Sequence, residues 1–137
     1  MTLGTTASAG RAKQLGLLFV FLWFLVGGTA HFLATDTAMR IVPPYIPLPR
    51  LAVLVSGALE LLGAIGLLGS STRRTAGWGL FLLTLVVTPA HIFMLQRPDL
   101  FGIPYWMLIA RLPVQAAFLW LILWSTTPTS SDTSQTH

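Results

Sequence analysis

The sequence predicts an all-α, membrane-embedded four-helix bundle with a proline-rich interfacial loop between helices 1 and 2. Three observations carry that expectation. Of 137 residues, 54% are hydrophobic and only 9% charged, against roughly 25% charged in soluble domains. Twelve charged residues are too few to cover a water-facing surface, and disorder would need low hydrophobicity and high charge. Four apolar runs, at 15–33, 51–68, 76–95 and 105–124, are separated by short polar or proline-rich stretches. Each approaches the ~20 residues a helix needs to cross a ~30 Å hydrocarbon core.

Residues 1–14 are small and polar and read as a disordered tail. Arg11 and Lys13 precede the first apolar run, and the small residues Gly28-Thr29-Ala30 follow its stretch 15–26, a layout that a signal peptide would also show. Three further apolar runs favour retention of the first as a transmembrane helix. The first loop, 34–50, contains Thr35, Asp36 and Thr37, any of which could cap a short helix through residues 38–42. Pro43, Pro44, Pro47 and Pro49 then forbid helix and favour extended polyproline geometry. Ile41, Val42, Tyr45, Ile46 and Leu48 make this segment too apolar for open water, so it is expected on the membrane surface, or else as a stiff spacer. Residues 125–137 are rich in Ser and Thr and read as a second disordered tail.

The pI of about 10.8 does not point to nucleic acid. Arg11, Lys13, Arg73 and Arg74 flank hydrophobic runs, and no basic cluster exists. Such flanks anchor helices and set orientation. Four basic residues on the side of the N-terminus and second loop, against Arg40, Arg50 and Arg97 opposite, favour cytoplasmic termini of a multi-pass cell-membrane protein. Cysteine is absent, which excludes disulfides, thiol relays and iron–sulfur clusters in this chain.

Ionisable side chains inside spanning helices are costly and usually face a protein interior or a cavity. Four occur, one per span: His31, Glu60, His91 and Arg111. Measured from the side of the first and third loops, they lie at depths of about 3–5, 13–14, 6 and 9–10 Å respectively. All four therefore converge on one half of the membrane or its middle. Thr84, Thr88 and His91 are spaced i, i+4, i+7 on one face, and Arg111 and Gln115 share another. Gly27 and Gly28 precede His31, while Ser56, Gly57, Gly63 and Ala64 flank Glu60; small neighbours let helices approach closely. Pro89 and Pro113 should bend their helices. The tryptophans at 78, 106, 120 and 124 sit near helix ends, as in aromatic belts.

Two readings of the polar cluster follow. In the structural one, Glu60 pairs with Arg111, the histidines add hydrogen bonds, and helix register is the only product. In the ligand-binding one, His31, His91, Arg111 and Gln115 surround the headgroup of a quinone or similar lipid, and Glu60 exchanges protons with it. A b-haem between His31 and His91 is the weaker alternative, resting on two histidines from unadjacent helices. A metal ion held by His31, His91 and Glu60 is not expected, because Arg111 would add a repelling charge.

The order of motifs resembles the DoxX-like family of small four-helix membrane proteins. The residues that carry the resemblance are Gly28-x-x-His31-Phe32, the run Ile41-Val42-Pro43-Pro44-Tyr45-Ile46-Pro47, and Ser56-Gly57-x-x-Glu60-Leu61-Leu62-Gly63. Arg73-Arg74-x-Ala76-x-Trp78-Gly79, Pro89-Ala90-His91-Ile92 and Arg111-Leu112-Pro113-Val114-Gln115 continue it, covering residues 15–124. The resemblance implies a membrane subunit of the kind linked to quinone-dependent oxidation of sulfur compounds, to methylamine utilisation, or to receptor assembly. With no cysteine, thiol chemistry would have to come from a soluble redox partner. The rival from another class is a noncatalytic scaffold or assembly factor, in which the buried polar residues are purely structural.

Overall fold

In the computed structural model, which describes residues 3–128 and side chains from Ser8 onward, the apolar runs form helices. The order is α1 (Leu3–Leu33), α2 (Thr35–Met39), α3 (Pro49–Leu68), α4 (Arg73–Val86), α5 (Thr88–Gln96), a single 3-10 turn at Pro98–Leu100, and α6 (Tyr105–Thr126). No strand occurs among the described residues. Four helical stretches are long and apolar enough to cross a membrane: Ser8–Leu33, Pro49–Leu68, Arg73–Gln96 and Tyr105–Thr126. Few residues of these stretches are fully buried, and large apolar side chains such as Leu18, Leu62, Val86 and Trp106 are exposed, as a nonpolar solvent would allow.

Helix α1 begins at Leu3 rather than at residue 15, which corrects the expectation of a disordered 1–14 tail over its described part. Ala9, Arg11, Ala12, Lys13 and Gln14 are good helix formers, and no proline interrupts them. An apolar helix already nucleated downstream therefore propagates through them. Lys13 also gains tertiary contacts. Its Nζ donates to the Thr127 carbonyl at 3.1 Å and lies 6.0 Å from the Trp124 ring centre, so it caps the end of α6. Helix α6 itself runs to Thr126, whose hydroxyl donates to the Ile122 carbonyl at 2.7 Å. The remainder of the expected C-terminal tail, from residue 129, lies outside the described residues.

Two features of the first loop also differ from expectation. Thr35 does not cap a following helix; its hydroxyl donates backwards to the carbonyls of His31 at 2.7 Å and Phe32 at 3.1 Å. It thus satisfies acceptors left open at the end of α1, and the short helix falls at 35–39 rather than 38–42. The proline segment is not extended throughout. Ile46 N–H donates to the Pro43 carbonyl at 3.0 Å, a β-turn in which Pro44 supplies the fixed φ favoured at its first inner position. Pro43 is fully buried, while Tyr45 and Leu48 are exposed. Leu48 holds a left-handed φ of 55° and leads into α3, where Pro49 sits in the first turn, a position that tolerates its missing N–H.

Contacts run α1 to α3, α3 to α4, α4 to α6, and α6 back to α1. Helices α1 and α3 approach closely enough for each backbone to face the other's glycine. A Cβ at Gly57 would stand 2.6 Å from the His31 Cβ and 3.0 Å from the Gly28 carbonyl, and one at Gly28 would stand 2.9 Å from the Gly57 carbonyl. The buried apolar cluster draws on all four long helices: Val20 and Phe24, Ala64 and Leu67, Leu80, and Ile122. It lies toward the end where Lys13 meets Thr127. At that end Arg73 Nε also donates to the Leu67 carbonyl at 3.0 Å, and the Thr72 hydroxyl donates to the Gly66 carbonyl at 2.7 Å, so the last turn of α3 is capped. The α4–α5 boundary at Val87 falls just before Pro89, whose missing N–H cannot supply the Leu85 carbonyl with its helical donor. Helix α6, by contrast, is uninterrupted through Pro113.

The glycine contact is testable by unfolding the detergent-solubilised protein. Gly57→Ala should lower stability by about 1–3 kcal/mol, the usual range for overpacking. Gly79→Ala, where an added Cβ meets nothing within 4 Å, should be neutral or slightly stabilising. Equal melting of the two variants would contradict this account of the α1–α3 crossing.

Candidate functional site

The polar residues occupy the half of the molecule away from the buried cluster, and they form two groups rather than one. In the first, α1 carries His31 against α3. The His31 Nδ1 lies 3.1 Å from the Val53 carbonyl oxygen. A carbonyl can only accept, so Nδ1 carries the proton. Its Nε2 then faces the Glu60 carboxylate, 3.4 Å from Oε1. With the imidazole protonated the contact is an ion pair. The other oxygen, Oε2, sits beneath Gly27, where a Cβ would stand only 2.8 Å away. The glycine on the first helix is therefore what makes room for a carboxylate on the third.

The second group joins α4, α5 and α6. Gln115 Nε2 donates to the Thr84 carbonyl at 3.1 Å and to the Thr88 hydroxyl oxygen at 2.7 Å. Because the Thr84 carbonyl cannot donate, the amide orientation is determined, and Gln115 Oε1 must accept from His91 Nδ1 at 2.6 Å. The Thr88 hydroxyl donates to the Thr84 carbonyl at 3.2 Å. The Thr84–Thr88–His91 stripe read from the sequence thus meets its counterpart on α6, and every donor in it has an acceptor. Pro89 helps, since the break at Val87 leaves this region short of helical hydrogen bonds that Gln115 can replace.

Arg111 corrects the expected Glu60–Arg111 pair. Among the described residues the ion pairs are His31–Glu60 and Arg97–Asp99. Arg111 Nη1 instead donates to the Met94 sulfur at 3.2 Å, a weak acceptor. The physical reason is adjacency. Helix α3 packs on α1 and α4, whereas α6 packs on α1, α4 and α5, so Glu60 meets an α1 side chain. Arg97 and Asp99 lie in the third loop, and the Arg97 guanidinium hydrogen-bonded to Asp99 holds that carboxyl below the usual carboxylate range. Both are exposed, so this pair adds little stability.

A cleft of about 470 Å³ opens beside the first group, within the ~300–1,000 Å³ typical of small-molecule sites. Gly27 and His31 of α1 form one wall, with Arg40 and Ile41 after α2, Met94, Phe101 before α6, and Arg111 completing it. Phe101 is set by an edge-on contact with Phe93, 6.2 Å between ring centres. Side-chain exposure is 25% for His31 and 13% for Glu60, so the imidazole is the member of the pair that faces the cleft. Arg40 was seen in the sequence only as a loop charge, and its place in the cleft depends on the turn of chain through α2. His91 and Gln115 do not line this cleft. Trp23 packs on Phe19 and Phe118 instead. No group of three or more potential metal ligands occurs among the described residues.

Four membrane-length apolar helices with polar side chains turned toward one another are the make-up of a multi-pass membrane protein. A family model described as a domain of unknown function (DUF8561) matches residues 20–128, and the chain belongs to that family. The match spans every residue of both polar groups. No curated protein and no solved structure matches the chain.

The hydrogen-bond directions can be checked with 15N-labelled histidine. Both His31 and His91 should show a protonated Nδ1 in the folded protein, and a neutral Nε2–H tautomer at either would refute the assignment. Gln115→Leu should lower stability by about 1–2 kcal/mol, given roughly 0.6 kcal/mol per interhelical hydrogen bond in membranes. A variant as stable as the parent would show that the Gln115 bonds do not hold α6 in place.

Proposed function

We propose that the chain is a DoxX-like four-helix bundle of the cell membrane that binds a quinone or similar lipid and serves a soluble redox partner. The observation that carries this reading is the cleft, in which apolar walls meet the His31 imidazole, backed by Glu60, and the Arg111 guanidinium. An amphiphile with a carbonyl headgroup matches those features. Its apolar body lies along Ile41, Met94 and Phe101, and its oxygen accepts from Arg111 or from a protonated His31 Nε2. A bound quinone would supply the two-electron chemistry that this cysteine-free chain cannot. His31 and Glu60 bind and orient the headgroup, hold one exchangeable proton at Nε2 or Oε1, and pass it toward the cleft. Electrons come from the partner.

The remaining features agree with that placement. The exposed Tyr45 and Leu48 give the proline segment an apolar edge suited to the membrane surface above the cleft. The His91–Gln115 group holds α5 and α6 in register and so positions Met94 and Arg111. The start of α1 and the end of α6 lie on one side, taken as cytoplasmic from the bias of basic residues.

The test is made on full-length protein purified in mild detergent, by solvent extraction with mass spectrometry and by calorimetric titration with a short-chain quinone. The parent should bind quinone stoichiometrically. Glu60→Gln, checked for an unchanged fold by circular dichroism, should bind at least about tenfold more weakly, in line with loss of one charge-assisted contact. No binding by the parent, or undiminished binding by the variant, refutes the proposal.

A further inference from the structure

Two guanidinium groups line the cleft, and among the described residues neither meets a carboxylate. Arg111 donates to the Met94 thioether, which carries no charge. Arg40 follows α2 and is exposed. Asp36, one helical turn earlier, makes no ion pair with it, because the ion pairs among the described residues are His31–Glu60 and Arg97–Asp99. Glu60, behind His31 and outside the cleft lining, is already matched by that histidine. Arg111 lies within a spanning helix, where a charge without a counter-ion is costly, and Arg40 adds a second positive charge at the same cleft. Guanidinium groups present planar sets of donors that suit phosphate oxygens in particular.

From this we infer that the cleft is a binding site for an anionic phospholipid, with Arg40 and Arg111 holding the headgroup phosphate. The surroundings match the rest of such a molecule. Ile41, Phe101 and Met94 supply apolar walls for the upper acyl chains, and the large exposed apolar surface of the helices continues them. Basic pockets between membrane helices recognise lipid headgroups in this way. The inference rests on the cleft being a ligand site, as in the function proposed above, but selects a charged lipid as its occupant rather than a neutral quinone.

The experiment uses the full chain in a neutral detergent. Melting is followed while phosphatidylglycerol, phosphatidylcholine or inorganic phosphate is titrated, with a short-chain quinone as a parallel ligand. The parent should prefer phosphatidylglycerol over phosphatidylcholine by on the order of tenfold or more, as expected for two basic contacts. Arg40→Gln/Arg111→Gln should abolish that preference, and Arg74→Gln, at the opposite end of the molecule, should keep it. If the double variant does not fold, Arg40→Gln alone is read, since Arg40 is exposed; it should lose at least half of the preference on a logarithmic scale. Equal affinity for the two lipids overturns the inference, as does a preference that survives loss of Arg40 and Arg111. Saturation by inorganic phosphate alone identifies a free-anion site and overturns the lipid assignment. Quinone binding without lipid preference overturns this inference while leaving the proposed function standing; absence of both removes the two together.

Discussion

The closeness of α1 to α3 is the constraint on which the rest of the polar half depends. Helices in a hydrocarbon phase gain nothing by hiding apolar side chains from their surroundings, and they associate through close packing and polar contacts. Gly28 and Gly57 supply the first, because each leaves space that the other backbone occupies. The second follows from the first. Only at that separation does the His31 ring reach both the Val53 carbonyl and the Glu60 carboxylate, and only with a glycine at 27 does the second carboxylate oxygen have room. A side chain at 28 or 57 would press one backbone against the other, and a side chain at 27 would press on the Glu60 carboxylate itself.

The two ends of the molecule are built on different physics. Toward Lys13 and Thr127 the helices share a buried cluster of Val20, Phe24, Ala64, Leu67, Leu80 and Ile122, and the loop between α3 and α4 is capped by Thr72 and Arg73. Toward the first loop, packing gives way to directed hydrogen bonds and an open cleft. Dense apolar packing resists deformation, whereas a cleft bordered by α2, a proline turn and a 3-10 turn has few contacts to lose. The arrangement thus combines a rigid base with a more adaptable mouth, and the polar groups stand at the boundary between them.

Much of this was legible in the sequence. The four long helices follow from apolar runs near bilayer length, and the polar stripe of Thr84, Thr88 and His91 follows from helical periodicity. The small residues before His31 and around Glu60 were correct markers of close approach. What periodicity lacks is the order in which helices stand beside one another. Opposite charge and similar depth pointed Glu60 toward Arg111, but α3 and α6 are separated by α1 and α4, so a histidine on the neighbouring helix takes the carboxylate. Hydropathy also overlooked the helix before residue 15, since alanine, lysine and glutamine favour helix without being strongly apolar. In the first loop, proline content indicated stiffness, yet the same residue that favours extended chain also favours the inner position of a turn. Thr35 shows the same ambiguity at a helix end, where a hydroxyl can serve the helix ahead or the one behind.

The contact between Lys13 and the Thr127 carbonyl bears on how the polypeptide is threaded. Because α1 and α6 touch, and α3 and α4 complete the circuit, the helices form a closed loop whose covalent break is spanned by a side chain rather than by backbone. The order in which the segments are synthesised is then separable from the arrangement they reach. A permuted chain, joined between the ends of α6 and α1 and opened in the short link at 69–72, would keep every helix neighbour it now has. Both new termini would still lie on the same side, so the number of crossings and the location of the cleft would be unchanged.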